Sequence, residues 1–190
     1  MTDWKTVPSG TLGKHIPAWQ YGEGRAGYSD QPQADANTVV DFAIDVGREG
    51  KYDRVIAHVI EPHYPFAAAA KARGAKELNQ SEQKPWHYLR DGGGLEVVWN
   101  NYLTELRYGL DHVERLLENF DAEKAVITAD HGELFGEWKM YGHDSGSLMP
   151  QLRRVPWVET TATDSGTHQT EKRTQQQRTV EENLESLGYL

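Results

Sequence analysis

The stretch Ala125-Val-Ile-Thr-Ala-Asp-His-Gly-Glu133 is a short apolar run that stops abruptly at an acidic residue, a histidine and a glycine. Its β-branched residues favour extended chain, so Lys124 to Ala129 is predicted to be a strand. A strand tip is a rigid place to present side chains, and a carboxylate beside an imidazole there can share one divalent cation. Upstream, Leu103, Leu106, Leu110, Val113, Leu117 and Phe120 recur at spacings of three and four, which predicts an amphipathic helix from Leu95 to Phe120. Further upstream, Arg54 to Ile60 reads as a buried strand. Strand, helix, strand in that order predicts a parallel pair with a crossover helix. The fold class expected is therefore α/β, a mixed, mainly parallel sheet flanked by helices. In such sheets ligands gather beyond the carboxyl ends of the strands, where His63 and the Asp130-His131 pair both fall.

The rest of the chain is organised around this core, expected over residues 53–158. Residues 1–52 are rich in Gly, Pro, Ser and Gln and are read as an irregular segment with one short helix, Thr38 to Val46. A second small helix is expected near Ala67 to Ala72, inside a surface excursion that ends at Gly92-Gly-Gly94. Residues 159–178 are Thr-, Ser- and Gln-rich and read as a polar linker, and residues 179–190 as a terminal helix closed by Gly188.

Composition narrows the function. With 190 residues, 37% hydrophobic, the chain can bury one sizeable core. A formal charge of -9 argues against nucleic-acid binding, which needs surplus Lys and Arg, but not against a small anion held beside a cation. The absence of cysteine excludes disulfides, thiolate metal sites and a cysteine nucleophile within this sequence. Neither a signal segment nor an apolar run of spanning length is visible, so no membrane association and a cytoplasmic location are expected.

Asp130 and His131 are the foremost candidates for metal ligands; the plainer reading is an Asp that caps a turn with a His bonded beside it. Gly132 permits close backbone approach, and Glu133 can begin a helix or offer another oxygen. His143 follows Gly142 in a polar loop, where an imidazole can bind metal, donate to an ester oxygen or simply face water. Asp144 can orient that ring or start a turn. His63, between Pro62 and Pro65, sits on a stiff turn. His58 and His112 read as structural.

Glu61-Pro-His-Tyr-Pro-Phe66, the long helix with Tyr102 to Asp111, Val126-Ile-Thr-Ala-Asp-His-Gly-Glu133, Gly142-His143, Arg154-Val-Pro156 and Leu184-Glu-Ser-Leu-Gly-Tyr-Leu190 follow one another in an order that resembles the sulfatase branch of the alkaline phosphatase superfamily. The resemblance covers roughly residues 53–190 and implies an alkaline phosphatase-like sheet that is N-terminally truncated. It also implies metal-dependent hydrolysis of a sulfate or phosphate ester. Asp130 and His131 match its metal-ligating pair, and His63 and His143 match residues that contact the transferring group. The cofactor implied is a divalent metal: calcium, magnesium, manganese or zinc.

The family's upstream strand ending in aspartate and its nucleophile element are not found. Thr6-Val-Pro-Ser-Gly10 echoes the latter, with glycine where arginine belongs. An incomplete hydrolase domain is therefore expected, completed by a longer chain, self-association or a second chain. The alternatives are a non-catalytic binding module of the same family and a coiled-coil association domain seamed by Leu103 to Phe120.

Overall fold

The computed structural model describes residues 12–21, 33–144 and 146–173. The expected N-terminal helix is present as α1, Ala36–Glu49. It starts where the Asp35 carboxylate accepts from the Thr38 N–H at 2.9 Å and stops at Gly50, whose φ of 62° is free for glycine. Four further helices follow: α2 (Ala67–Ala72), α3 (Gln80–Gln83), α4 (Pro85–Arg90) and α5 (Leu95–Leu117). Asn79 and Glu82 form a capping box at the start of α3, and Pro85 occupies the first turn of α4, where its missing N–H leaves nothing unsatisfied. After α5 come strand β1 (Ala122–Thr128), strands β2 (Leu134–Phe135) and β3 (Tyr141–Gly142), helix α6 (Pro150–Arg153) and strand β4 (Trp157–Ala162).

Helix α5 is the axis against which α1, α2, α3, α4 and β4 pack. Its buried face is not the predicted one. Leu103, Leu106, Leu110, Val113, Leu117 and Phe120 all keep some exposure, while Val98, Glu105, Gly109 and His112 are buried. Two close approaches explain this. Gly109 lets Glu61 come so near that a Cβ would lie 2.9 Å from the Glu61 Cβ. The Glu105 carboxylate accepts from the Ala68 N–H at 2.8 Å, satisfying the first turn of α2. The main apolar cluster is Phe66, Ala69, Trp86, Leu89 and Val98, extended by Tyr64, Tyr102, Phe135 and Tyr141.

The sheet expected from the sequence is not formed. The described residues hold two sheets of two strands each, and both are antiparallel. Strand β1 lies close to its predicted place but pairs with β4, Thr128 opposite Trp157 and Ala125 opposite Thr160. Residues 159–162, read as the opening of a linker, supply most of β4; their β-branched threonines fit a pleated strand despite their polarity. Arg54 to Ile60, the other half of the predicted parallel pair, lies outside any sheet, and Ile56 is 83% exposed. The mainly parallel, alkaline phosphatase-like α/β sheet is thus replaced by helices packed on α5 with two small ribbons beside them.

Residues 163–173 run back along α5 and α1. The Ser165 N–H donates to Glu118 O at 2.9 Å, and Arg48 grips Asp164 through Nε and Nη2, each at 2.8 Å. The buried Asp41 carboxylate receives His168 Nε2 at 2.8 Å and Arg173 Nη2 at 3.3 Å. Thr6 and the predicted helix over residues 180–187 lie outside the described residues. Among those described, no helix is long and apolar enough to cross a membrane.

Candidate metal centre

The chain leaves β1 at Thr128 and reaches β2 through Ala129-Asp-His-Gly-Glu133. Gly132 fixes this link. Its N–H donates to Leu152 O at 2.9 Å, and α6 lies so close that a Cβ on residue 132 would fall 1.9 Å from Gln151 O. Strands β2 and β3 then form a short hairpin in which Leu134 faces Gly142 and Phe135 faces Tyr141. One step beyond that register, Glu133 and His143 meet. The hairpin tip is tight: Gly136 has φ 123°, and Trp138 and Lys139 occupy the left-handed region at 54° and 60°. The Trp138 side chain at the tip is 84% exposed.

His143 Nδ1 lies 2.8 Å from Glu133 Oε1 and 3.0 Å from Oε2. This hydrogen bond raises the His143 pKa above the usual imidazole value, against the opposing effect of burial. His131 Nδ1 donates to Gly132 O at 2.8 Å, so Nε2 is the ring nitrogen that this bond does not engage. That Nε2 is 3.7 Å from Asp130 Oδ2, while Asp130 Oδ1 accepts from the His131 N–H at 3.1 Å. The His131 and His143 rings are 4.0 Å apart between centroids, and His63 stands 5.6 Å from His143, stacked on Tyr64. Burial, and then the Glu133 charge, push the Tyr102 hydroxyl pKa upward.

Three separate segments bring His63, the Asp130-His131 pair and His143 near one another, although the strand expected to present His63 is not formed. Glu133, whose role the sequence left open, is the group that holds His143. Ligand atoms of His131, Glu133 and His143 all lie within 4.8 Å of one another. Asp144 opens a turn, its carbonyl accepting from the Ser147 N–H at 3.3 Å. His112 is buried in α5 with Nδ1 bonded to Tyr108 O, whereas His58 is exposed rather than core. Sequence reasoning missed Trp86: it packs under the hairpin, and its buried Nε1 has no hydrogen-bond partner among the described residues. The only available signal was a large aromatic at the first turn of a Pro-initiated helix.

His131, Glu133 and His143 could together hold a metal ion. Bonds of about 2.0–2.2 Å at a tetrahedral ion place neighbouring ligand atoms about 3.3–3.5 Å apart. The 3.7 Å between His131 Nε2 and Asp130 Oδ2 is close to that span. Comparison with protein-family models, with curated proteins and with solved structures finds no match for this chain.

Proposed function

We propose that the chain carries the cation-binding and anion-steadying side chains of a metal-dependent hydrolase centre of the sulfatase type, acting on a sulfate or phosphate ester. The observation that carries the reading is the convergence of His63, His131 and His143 with the Asp130 and Glu133 carboxylates, from segments up to 80 residues apart. Asp130 and His131 hold the ion. His143, kept in place by Glu133, and His63, held against Tyr64, present imidazole edges toward the oxygens of the transferring group. A divalent cation bound there supplies the positive charge that polarises the ester oxygens.

A second reading, anion binding without turnover, is favoured by the fate of the nearest hydroxyl on the strand. Thr128 Oγ1 is engaged with Pro156 O at 2.7 Å and is not offered as a nucleophile. The test is hydrolysis of an aryl sulfate and an aryl phosphate by the metal-free chain and after adding a divalent cation. Cation-dependent turnover lost in Asp130→Ala is the result expected of the hydrolase. Cation binding without turnover selects the second reading. If no divalent cation binds or raises the melting temperature, both are wrong.

A further inference from the structure

We infer that the β1–β4 ribbon is an interface for a second copy of this chain, the two β4 strands pairing antiparallel about Thr160 to make one four-stranded sheet.

The ribbon is an unfinished sheet. Among the described residues β1 pairs with β4 alone, and neither strand has a neighbour on its other side. The register places Trp157, Glu159 and Thr161 on one face with Val126 and Thr128, and every one of these side chains is exposed. Val158, Thr160 and Ala162 share the other face with Ala125 and Ile127, and none of them is fully buried. Two strands without a buried face are marginal in water, and further strands stabilise them. The outer row of N–H and C=O groups on an edge strand is a template for another extended backbone. On β4 that row is open: beyond β1 its backbone makes no further backbone bond among the described residues, and the Thr160 hydroxyl reaches Thr161 O only at 3.5 Å.

Of the two edges, β4 is the unprotected one. Strand β1 carries an extra residue between Ala122 and Ala125, a bulge that disrupts its ladder, and it bears Lys124. From Trp157 to Ala162, β4 has neither bulge, proline nor lysine. It also carries the two most exposed large apolar side chains of the ribbon, Trp157 and Val158.

The residues of β4 then select a second copy and a register. Centred on Thr160, the pairing sets Thr160 opposite its own copy, Glu159 opposite Thr161 and Val158 opposite Ala162, each pair on a shared face. Centring on Glu159 would oppose two carboxylates. Centring on Val158 would bring Pro156, which has no N–H, opposite Thr160. Centring on Thr161 would need Thr163, whose N–H is already given to Leu117 O at 2.9 Å. Charge is balanced inside the Thr160-centred ladder. Glu159 is the one acid of β4, and Lys124 Nζ stands 2.9 Å from its carboxylate, so two copies meet there neutralised although the whole chain carries -9.

Sedimentation equilibrium of the full chain from about 5 to 500 µM tests this, because one strand pair lies at the small end of interface sizes and implies a micromolar dimer. The apparent mass should rise from 21.5 kDa toward twice that value and stop there. Thr161→Glu sets a carboxylate opposite Glu159 at both symmetric ends of the ladder and should weaken the dimer by ~3–10-fold. Thr161→Lys should tighten it by a similar factor, and both shifts should shrink at high salt. Thr161 is exposed, so neither variant should change the melting temperature of the dilute protein. Association through apolar side chains alone would not sort the two variants by charge. If either variant fails to fold, amide exchange of the wild-type chain decides: the outward amides of Val158 to Ala162 should slow as protein concentration rises. A 21.5 kDa monomer at every concentration, growth past the dimer, equal dimer strength in both Thr161 variants, or concentration-independent exchange overturns the inference.

Discussion

Replacing Gly132 by alanine should damage both the fold and the centre, and the structure indicates by how much. The new Cβ would lie 1.9 Å from Gln151 O and 3.0 Å from Gln151 C, both backbone atoms that no rotamer change can move. Non-bonded carbons settle at ~3.5–4.0 Å, so α6 must retreat by about 1.5 Å. Overpacking of this kind costs about 1–3 kcal/mol. Retreat also breaks the 2.9 Å bond from the Gly132 N–H to Leu152 O, worth about 1 kcal/mol. A combined loss of about 2–4 kcal/mol lowers the melting temperature of a chain this long by about 5–15 °C. Circular dichroism melts of the metal-free protein read this directly. Gly74→Ala is the matched control: with φ 71° and nothing within 4 Å, it carries only the left-handed backbone penalty of about 1–2 kcal/mol. A Gly132→Ala melting point equal to or above that of Gly74→Ala refutes the claim that α6 packs directly onto the Asp130-His131 loop.

Glu105→Ala removes the buried acceptor of the Ala68 N–H and should cost about 2–3 kcal/mol in urea unfolding; a loss below about 0.5 kcal/mol contradicts the placement of that carboxylate. The Arg48 guanidinium, with help from the Gly166 N–H, holds the Asp164 carboxyl down to about 2. The stability this lends is present above the unfolded carboxylate value of about 4 and is lost as pH falls toward 2, so Asp164→Asn should flatten that part of the urea-midpoint profile. A mutant profile parallel to wild type would show that the pair does not couple to folding. Trp157 and Val158, 65% and 51% exposed on β4, should drive dye binding and light scattering. The double variant Trp157→Thr, Val158→Thr should reduce both at unchanged melting temperature, and scattering equal to wild type argues that another surface is responsible.

What the sequence revealed follows from the range of the forces involved. Helices α1, α2 and α5 were legible because caps, spacing and alanine content act over a few residues, and β1 because Val126 and Ile127 carry strand propensity locally. The partner of β1 was not legible: Glu159-Thr-Thr-Ala162 is too polar to announce a strand, and only pairing reveals it. Arg54 to Ile60 has the composition of a buried strand without a sheet to join, so local preference pointed to a tertiary arrangement that is not formed. The buried face of α5 was misread because Glu105 and Gly109 are buried for reasons of hydrogen bonding and close approach, which hydrophobic periodicity does not register. Around the candidate site, Asp130, His131, His63 and His143 stood out in the sequence by their settings beside an apolar run, between prolines and after a glycine, and the structure sets the histidine rings near one another. The Glu133 to His143 contact did not stand out, because the two residues meet through a hairpin whose strands are two residues long.

The fate of Asp41 bears on how the molecule comes into being. Its carboxylate is 2% exposed inside the packed face of α1, and its partners His168, Glu171 and Arg173 follow 127 to 132 residues later. On a ribosome adding roughly 5–20 residues per second, those partners arrive about 6–26 s after Asp41 itself. Sealing a lone carboxylate inside protein is strongly unfavourable, so α1 stays loosely hydrated until the late arm emerges and clasps it. Helix α1 is in this sense committed late, by a clasp whose residues lie 127 to 132 positions downstream of the carboxylate they close over.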